Sequence, residues 1–201
     1  MKRIVINKPL VLSEAQRVYG SIDINEEVLG QIMQYATIEK AKKHEIILNE
    51  GEVSDFFGFV LKGMIQTYYY KNDKLITDYF ASEGYGFFEV NSFITGEPSQ
   101  SFIEALEPTV YAKIPKEKFV ELADSDLKID SLHRKIMRHA VKTSSDRLNS
   151  ILHETAEQKY ANLEHRIPGL TSRVSAINIA SYIGVTQETL CRIKSKQGMF
   201  I

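Results

Sequence analysis

The stretch VSAINIASYIGVTQETLCRIKSK, Val174 to Lys196, has the pattern of two short helices joined by a tight turn. Gly184 falls at the turn, where it can adopt the positive φ that a sharp corner requires. Ala180 is small enough for the two helices to cross closely. The remaining apolar positions in the same register are Ile179, Ile183, Val185, Leu190 and Ile193. Together these positions predict a helix-turn-helix, with an ordinary helical hairpin as the alternative.

The second helix of this pattern carries side chains suited to reading DNA bases. Gln187, Glu188 and Arg192 point away from its apolar positions. Arg pairs with guanine, Glu accepts from the cytosine amino group, and Gln bonds adenine. We therefore expect base contacts from these three residues. Four neighbouring residues complete the predicted DNA-binding set, and they are Thr186 (which also caps the helix), Thr189, Lys194 and Lys196.

The charge of the chain is unevenly distributed. The net charge is −1, but residues 159–201 contain six Lys or Arg against only Glu164 and Glu188, which gives this segment about +4. The rest of the chain then carries about −5. Such an asymmetry favours a basic DNA-binding head attached to an acidic body.

Length and composition limit the classes of protein that need to be considered. The 201 residues are enough for two domains, and no apolar run approaches the roughly 20 residues that span a membrane. The N-terminus lacks the pattern of a signal peptide, so we expect a cytoplasmic protein. The single cysteine, Cys191, excludes a disulfide framework or a cysteine-held cluster within one chain, and its position favours packing.

The first two thirds of the chain predict an antiparallel β domain. Residues 1–20 show no sustained period and are assigned to a tail or an arm packed on the body. Residues 21–124 begin with a short helix capped by Asn25 and continue as β segments separated by turns, which favours a jelly roll, or double-stranded β-helix. The predicted strands are 45–48, 56–61, 64–71, 74–80, 86–89, 101–106 and 109–114.

A long helix follows, and the fold class is therefore α+β. Residues 125–143 are assigned to a dimerisation helix, because the apolar residues Ile129, Leu132, Ile136 and Ala140 recur at spacings of three and four. The alternative is that this stripe packs on the β body. Helix-capping residue types at 142–146 predict a break, after which residues 144–201 form the helix-turn-helix domain.

This order of elements resembles the Crp/Fnr family of bacterial transcription regulators over nearly the whole chain. The resemblance is carried by ILNEGE at 47–52, FGFVLKGMIQTYY at 57–69, EGYGFFEVNSFITGEPSQS at 83–101 and IASYIGVTQETLCRI at 179–193. It implies a roll that can hold a cyclic nucleotide, dimer helices that relay the signal, and two heads in successive major grooves. The expected partners are double-stranded DNA, a second copy of the chain, RNA polymerase and an unidentified small-molecule effector.

The candidate ligand pocket departs from the family pattern. The family's cassette resembles Phe-Gly-Glu followed by Pro-Arg-Ser-Ala, in which the Glu takes the ribose hydroxyl and the Arg takes the phosphate. Here Glu89 fits the ribose contact, but Phe88 replaces the Gly, and Ser99, Gln100 and Ser101 follow Pro98, so the Arg is missing. A buried phosphate without a charged partner is costly. We therefore expect no cyclic AMP binding, and treat the roll as an orphan pocket or a structural body in which Glu89 is simply a satisfied polar residue.

Other functional classes lack a signature in the sequence. There is no paired histidine and carboxylate spacing for a metal, no nucleophilic triad, and no phosphate-binding glycine loop. We predict no catalytic residue, metal or cofactor. The remaining alternative is a ligand-sensing or protein-interaction module whose helix-turn-helix is purely structural.

Overall fold

Two antiparallel sheets form the first domain of the protein. A computed structural model describes residues 8–20 and 25–198. The strands are β1 (Thr37–Ala41), β2 (Ile46–Leu48), β3 (Phe56–Lys62), β4 (Ile65–Lys71), β5 (Lys74–Ala81), β6 (Gly86–Phe87), β7 (Phe102–Ala105) and β8 (Thr109–Pro115). One sheet has the order β1-β8-β3-β6 and the other β2-β7-β4-β5. The predicted antiparallel β domain is confirmed, with β1 as an additional strand.

Turn chemistry fixes the register of the central hairpin. Asn72 and Asp73 both have positive φ, 51° and 59°, between β4 and β5. Two positive values in a two-residue turn match the right-handed twist of the flanking strands. Gly63, before β4, has φ 110°, and a Cβ there would lie 2.4 Å from Thr109 Oγ1. After these turns, β5 lies at the open edge of its sheet. The C-terminal domain covers this edge.

Nine helices surround the sandwich or follow it in the described part of the chain. They are α1 (Lys8–Tyr19), α2 (Glu26–Gln34), α3 (Val90–Thr95), α4 (Lys116–Ser125), α5 (Leu127–His153), α6 (Ala156–Arg166), α7 (Leu170–Arg173), α8 (Ala176–Ile183) and α9 (Gln187–Gly198). Asn25 caps α2 by accepting from Val28 N at 3.0 Å, as predicted. Helix α1 packs on α2 and α5, so residues 8–19 form an arm on the body. The remainder of the predicted tail, residues 1–7, lies outside the described residues.

The predicted break at 142–146 is wrong. Helix α5 runs without interruption for 27 residues to His153. The chain turns only at Glu154 and Thr155, where Thr155 accepts from Gln158 N and the Gln158 side chain accepts from Thr155 N in a capping box. Polar residues of moderate helix propensity do not end a helix when tertiary packing stabilises the helical segments before and after them. The hinge between body and head is therefore at 154–155.

The stripe assigned to dimerisation faces the sandwich. Ile129 is 0% exposed and Ile136 is 4% exposed, and both belong to a core cluster with Phe57 and Phe119. Leu132 and Ala140 are partly buried against the same cluster. Of the residues assigned to a dimer interface, Ile129 and Ile136 have their apolar area buried within one chain and are not available to a second copy. The assignment of the partly buried Leu132 and Ala140 stays a prediction.

This packing makes a stability prediction. Ile129→Ala should lower the free energy of unfolding by about 2–5 kcal/mol, because it leaves a cavity in a closed core. Leu127→Ala is the matched control, since Leu127 is 84% exposed on the same helix. Urea unfolding followed by circular dichroism measures both. Equal effects of the two substitutions would contradict the burial of Ile129.

Candidate DNA-reading head and effector domain

The head contains the predicted helix-turn-helix. Gly184 ends α8 in the left-handed conformation, with φ 71°, and its N–H donates to α8 carbonyls. Thr186 accepts from Thr189 N at 3.2 Å at the start of α9, as expected of a cap. The apolar residues Ile179, Ala180, Ile183, Leu190 and Ile193 are all buried, while Val185 is partly buried. The turn and the core between the two helices are thus defined by local sequence.

The outer face of α9 is open. The side chains of Gln187, Glu188 and Arg192 are exposed, and no ion pair or side-chain hydrogen bond holds them among the described residues. Of the other four predicted DNA-binding residues, Thr186 and Lys196 are exposed, whereas Thr189 and Lys194 are partly buried. Cys191, favoured as a packing residue, is exposed beside this face. Five of the seven predicted residues are therefore exposed on α9 or at its N-terminal cap, whereas Lys194 lies near the Tyr160 ring of α6.

Helix α8 is docked on the edge strand β5. Ser181 Oγ donates to Leu75 O at 2.7 Å and accepts from Thr77 N at 2.9 Å. Arg147, from α5, donates to Thr77 O at 2.7 Å and also to Asp78 O. An open sheet edge presents unpaired backbone groups. Side chains of the head and of α5 satisfy these groups, so the head is held in a defined position on the sandwich.

An ion cluster reinforces this docking. Arg173 donates to Glu83 at 2.9 and 3.0 Å and to Glu107 at 2.5 Å. Burial acts to raise the pKa of Glu83, but hydrogen bonds from Arg173 and Gly63 N outweigh it, so the pKa is lowered. Burial likewise opposes the charge of Arg173, but the two carboxylates raise its pKa. Arg173 thus links the head to two turns of the sandwich.

The loop that would hold a cyclic phosphate is closed by its own contacts. Ser99 Oγ donates to Ser101 O at 2.7 Å and accepts from Ser101 N at 3.0 Å, while Gln100 is exposed. The Phe88 ring packs on Phe57 and Phe93. The loop therefore contains no guanidinium, and the Ser99 hydroxyl is already engaged by the backbone of Ser101.

Glu89 has a local structural role. Its carboxylate accepts from Ser92 N at 2.7 Å and from Asn91 N at 3.4 Å, which caps α3. These contacts are those of a satisfied polar residue, and the ribose contact of Glu89 stays a prediction. Of the five predicted pocket residues, Phe88 and Glu89 line a cavity between the sandwich and α5. Ser99, Gln100 and Ser101 do not line this cavity.

That cavity, of about 310 Å³, lies between the sandwich and α5. Its walls include Tyr79 of β5 and His139 and Arg147 of α5. His139 Nε2 and Thr67 Oγ1 are buried without a hydrogen-bond partner. Burial, and then the positive charge of Arg166, lower the pKa of His139 below its usual range, which favours the uncharged imidazole. Sequence reasoning missed these α5 residues because helical periodicity does not reveal which sheet a helix covers.

Two further classes of site are absent from residues 8–20 and 25–198. No three His, Cys, Asp or Glu side chains come together there as a metal site. Within the same ranges, no helix is long and apolar enough to cross a membrane.

Comparisons with known proteins agree with the architecture. Residues 38–126 match the family described as the cyclic nucleotide-binding domain. FixK2 from Bradyrhizobium japonicum is 21% identical with a TM-score of 0.70, over 82% of this chain and 85% of that chain. The c-di-GMP responsive global regulator CLP from Xanthomonas campestris is 13% identical with a TM-score of 0.67, over 87% of this chain and 92% of that chain.

A third similar structure, from Eubacterium rectale, is assigned to the Crp/Fnr family of transcriptional regulators. It is 17% identical with a TM-score of 0.65, over 85% of this chain and 82% of that chain. No curated protein sequence matches the chain. The chain therefore has the fold of Crp/Fnr regulators, as the sequence predicts, with a β domain matching the cyclic nucleotide-binding family.

The closed loop at 99–101 leads to a ligand prediction. Calorimetric titration of the intact protein with cyclic AMP and with cyclic GMP should show no saturable binding at micromolar concentrations in the sandwich, because the 99–101 loop has no guanidinium to offset desolvation of the phosphate. Saturable micromolar binding of either nucleotide there would contradict this interpretation of the loop.

Proposed function

We propose that the protein is a sequence-specific DNA-binding transcription regulator that acts as a dimer, with a β domain that does not respond to cyclic AMP. The observation that carries the proposal is the open face of α9. Gln187, Glu188 and Arg192 project from a helix whose opposite side is fixed by Leu190 and Ile193. A rigid helix with free Arg, Glu and Gln side chains has the donors and acceptors that the major groove requires.

The electrostatics of the head support the same proposal. Lys194 and Lys196 follow Arg192 on α9, and residues 159–201 carry about +4. Basic side chains beside a reading helix contact phosphates and supply affinity independent of sequence. Thr186 and Thr189 lie at the N-terminus of α9, where hydroxyls and backbone N–H groups suit a phosphate. We propose these four residues as backbone contacts, in a cytoplasmic protein that contacts RNA polymerase.

For the dimer we propose a different face of α5 from the one that the sequence favoured. Val141, Leu148 and Ile151 are 71%, 58% and 46% exposed. With Met137 and Ser144 they recur in steps of four, three, four and three residues. This is the repeat of a helix that packs against an identical helix. A second copy of the chain would bury this stripe and orient two heads for successive major grooves.

The dimer proposal has a direct test. The double variant Val141→Lys and Leu148→Lys should be monomeric in sedimentation, because four lysines would face one another across the two-fold axis. Asn149→Lys adds one lysine charge per chain at an exposed position beside the stripe and should remain dimeric. A dimeric double variant would contradict the assigned face.

The role of Arg192 can be tested by binding-site selection from random duplex DNA. Arg192→Ala should relax the preference at one base pair per half-site and cost about 1–3 kcal/mol of discrimination, because a bidentate guanine contact is lost. Lys196→Ala is the matched control, and it should weaken binding to all DNA sequences alike. It should also reduce the slope of log K against log salt concentration by about one charge.

If Arg192→Ala weakened binding to all DNA sequences equally, Arg192 would be assigned to a phosphate contact instead of a base contact. The alternative function, a sensing or interaction module with a structural helix-turn-helix, predicts that the native protein enriches no sequence and no two-fold symmetric site.

A further inference from the structure

A second cavity lies at the hinge between the body and the head. It has a volume of about 530 Å³ and is enclosed by the C-terminal part of α5, by α6 and by α8. Arg147 lines this hinge cavity and also the cavity inside the effector domain. Arg166 of α6 and Tyr182 of α8 form further parts of its wall. Elements from both domains therefore meet at this one space.

Arg166 is a partly buried cation in the wall of the hinge cavity. Its side chain is partly buried, and Nη2 is buried without a hydrogen-bond partner. No carboxylate within residues 8–20 and 25–198 forms an ion pair with it; the arginines that do so are Arg17, Arg134, Arg147 and Arg173. Its guanidinium lies 5.3 Å from the centre of the Tyr182 ring. A partly buried cation without a counter-charge destabilises a protein unless something else supplies the charge.

Arg147 places a second guanidinium beside the first. It lies 4.4 Å from the centre of the same Tyr182 ring. Its hydrogen bonds go to two backbone carbonyls of β5, and its nearest carboxylate oxygen, on the mostly exposed Asp78, is 3.7 Å away. Two cations thus share one aromatic ring with little anionic compensation.

The acidic residues that line the hinge cavity are engaged elsewhere. Asp146 pairs with Lys142, and Glu154 accepts from Ser150 Oγ and Asn162 Nδ2. Lys159, also in the wall, donates to Ile151 O at 3.3 Å. Three cationic side chains, those of Arg147, Lys159 and Arg166, therefore line the hinge cavity against two carboxylates, which leaves its wall with an excess of positive charge.

We propose that the hinge cavity binds a small organic molecule through an anionic group, a carboxylate or a phosphate, held by Arg166 together with Arg147. Guanidinium groups bind such anions with paired, charge-assisted hydrogen bonds. The side chains of Ile151, Leu163 and Ile183 in the same wall suit a compact apolar body. The site is separate from the 99–101 loop, so the anionic group lies at the hinge and not inside the sandwich.

Binding there would act on the position of the head. The anion joins α5 to α6 and restrains Tyr182 of α8, the helix that docks on β5. A ligand that bridges elements of both domains stabilises the docked head by mass action, since it binds the undocked arrangement less well. This regulatory consequence rests on the proposed function of the head, whereas the binding site itself does not.

The test uses the full chain, with inorganic phosphate, benzoate and the neutral isostere benzamide as probes. Calorimetry and thermal unfolding are measured at constant ionic strength. Phosphate or benzoate should bind saturably and raise the melting temperature, whereas benzamide should not. Arg166→Met should weaken anion binding about tenfold or more, because a charge-assisted contact is lost. The larger of the two anion responses identifies the phosphate or the carboxylate class.

Arg138→Met is the matched control, because it removes an exposed guanidinium from α5 and should leave the anion response unchanged. Arg166→Lys keeps the charge and should retain part of the response, which covers the case in which Arg166→Met does not fold. Equal responses in wild type and Arg166→Met, or no saturable response to either anion in wild type, would overturn the site. The titrations contain no DNA, so their failure leaves the DNA-binding proposal standing.

Discussion

The arrangement of the two domains depends on the open edge of strand β5. A β-sandwich that ends on an unpaired strand exposes backbone donors and acceptors, which must be covered or hydrated. Ser181 of α8 and Arg147 of α5 supply these hydrogen bonds to residues 75–78. Phe80 of β5 packs on Tyr182 of α8, and the buried core continues from the sandwich into the head. The edge that could promote aggregation is therefore covered by the helix-turn-helix head, which packs on it.

Arginine side chains are absent from the 99–101 loop of the sandwich and present at the junction of the two domains. In the loop, Ser99 Oγ is engaged by the backbone of Ser101, and Glu89 caps a short helix. The guanidinium groups that lack full compensation, Arg147 and Arg166, instead surround Tyr182 at the hinge. The cavity beside α5 is present. The positive charge that could hold an anionic ligand lies at the junction between the sandwich and the head.

Helix α5 shows where sequence periodicity reaches its limit. Two apolar stripes run along it, one buried against the sandwich and one exposed. Spacings of three and four residues identify a stripe but not its partner, because a sheet and a second helix both bury such a surface. The stripe with Ile129 and Ile136 belongs to the body, and the one with Val141 and Leu148 is open. The polar run at 142–146 stays helical because contacts on both sides hold it.

The sequence by itself determined the helix-turn-helix, the antiparallel β domain and the missing phosphate-binding arginine. These depend on local relations, such as Gly184 at a left-handed turn, Thr186 at a cap, and turn residues between short strands. Only the tertiary structure decided the docking of α8 on β5, the Arg173 cluster with Glu83 and Glu107, and the pair of arginines around Tyr182. Their partners are 66 to 106 residues apart where hydrogen bonds join them, and no local pattern encodes a contact over that separation.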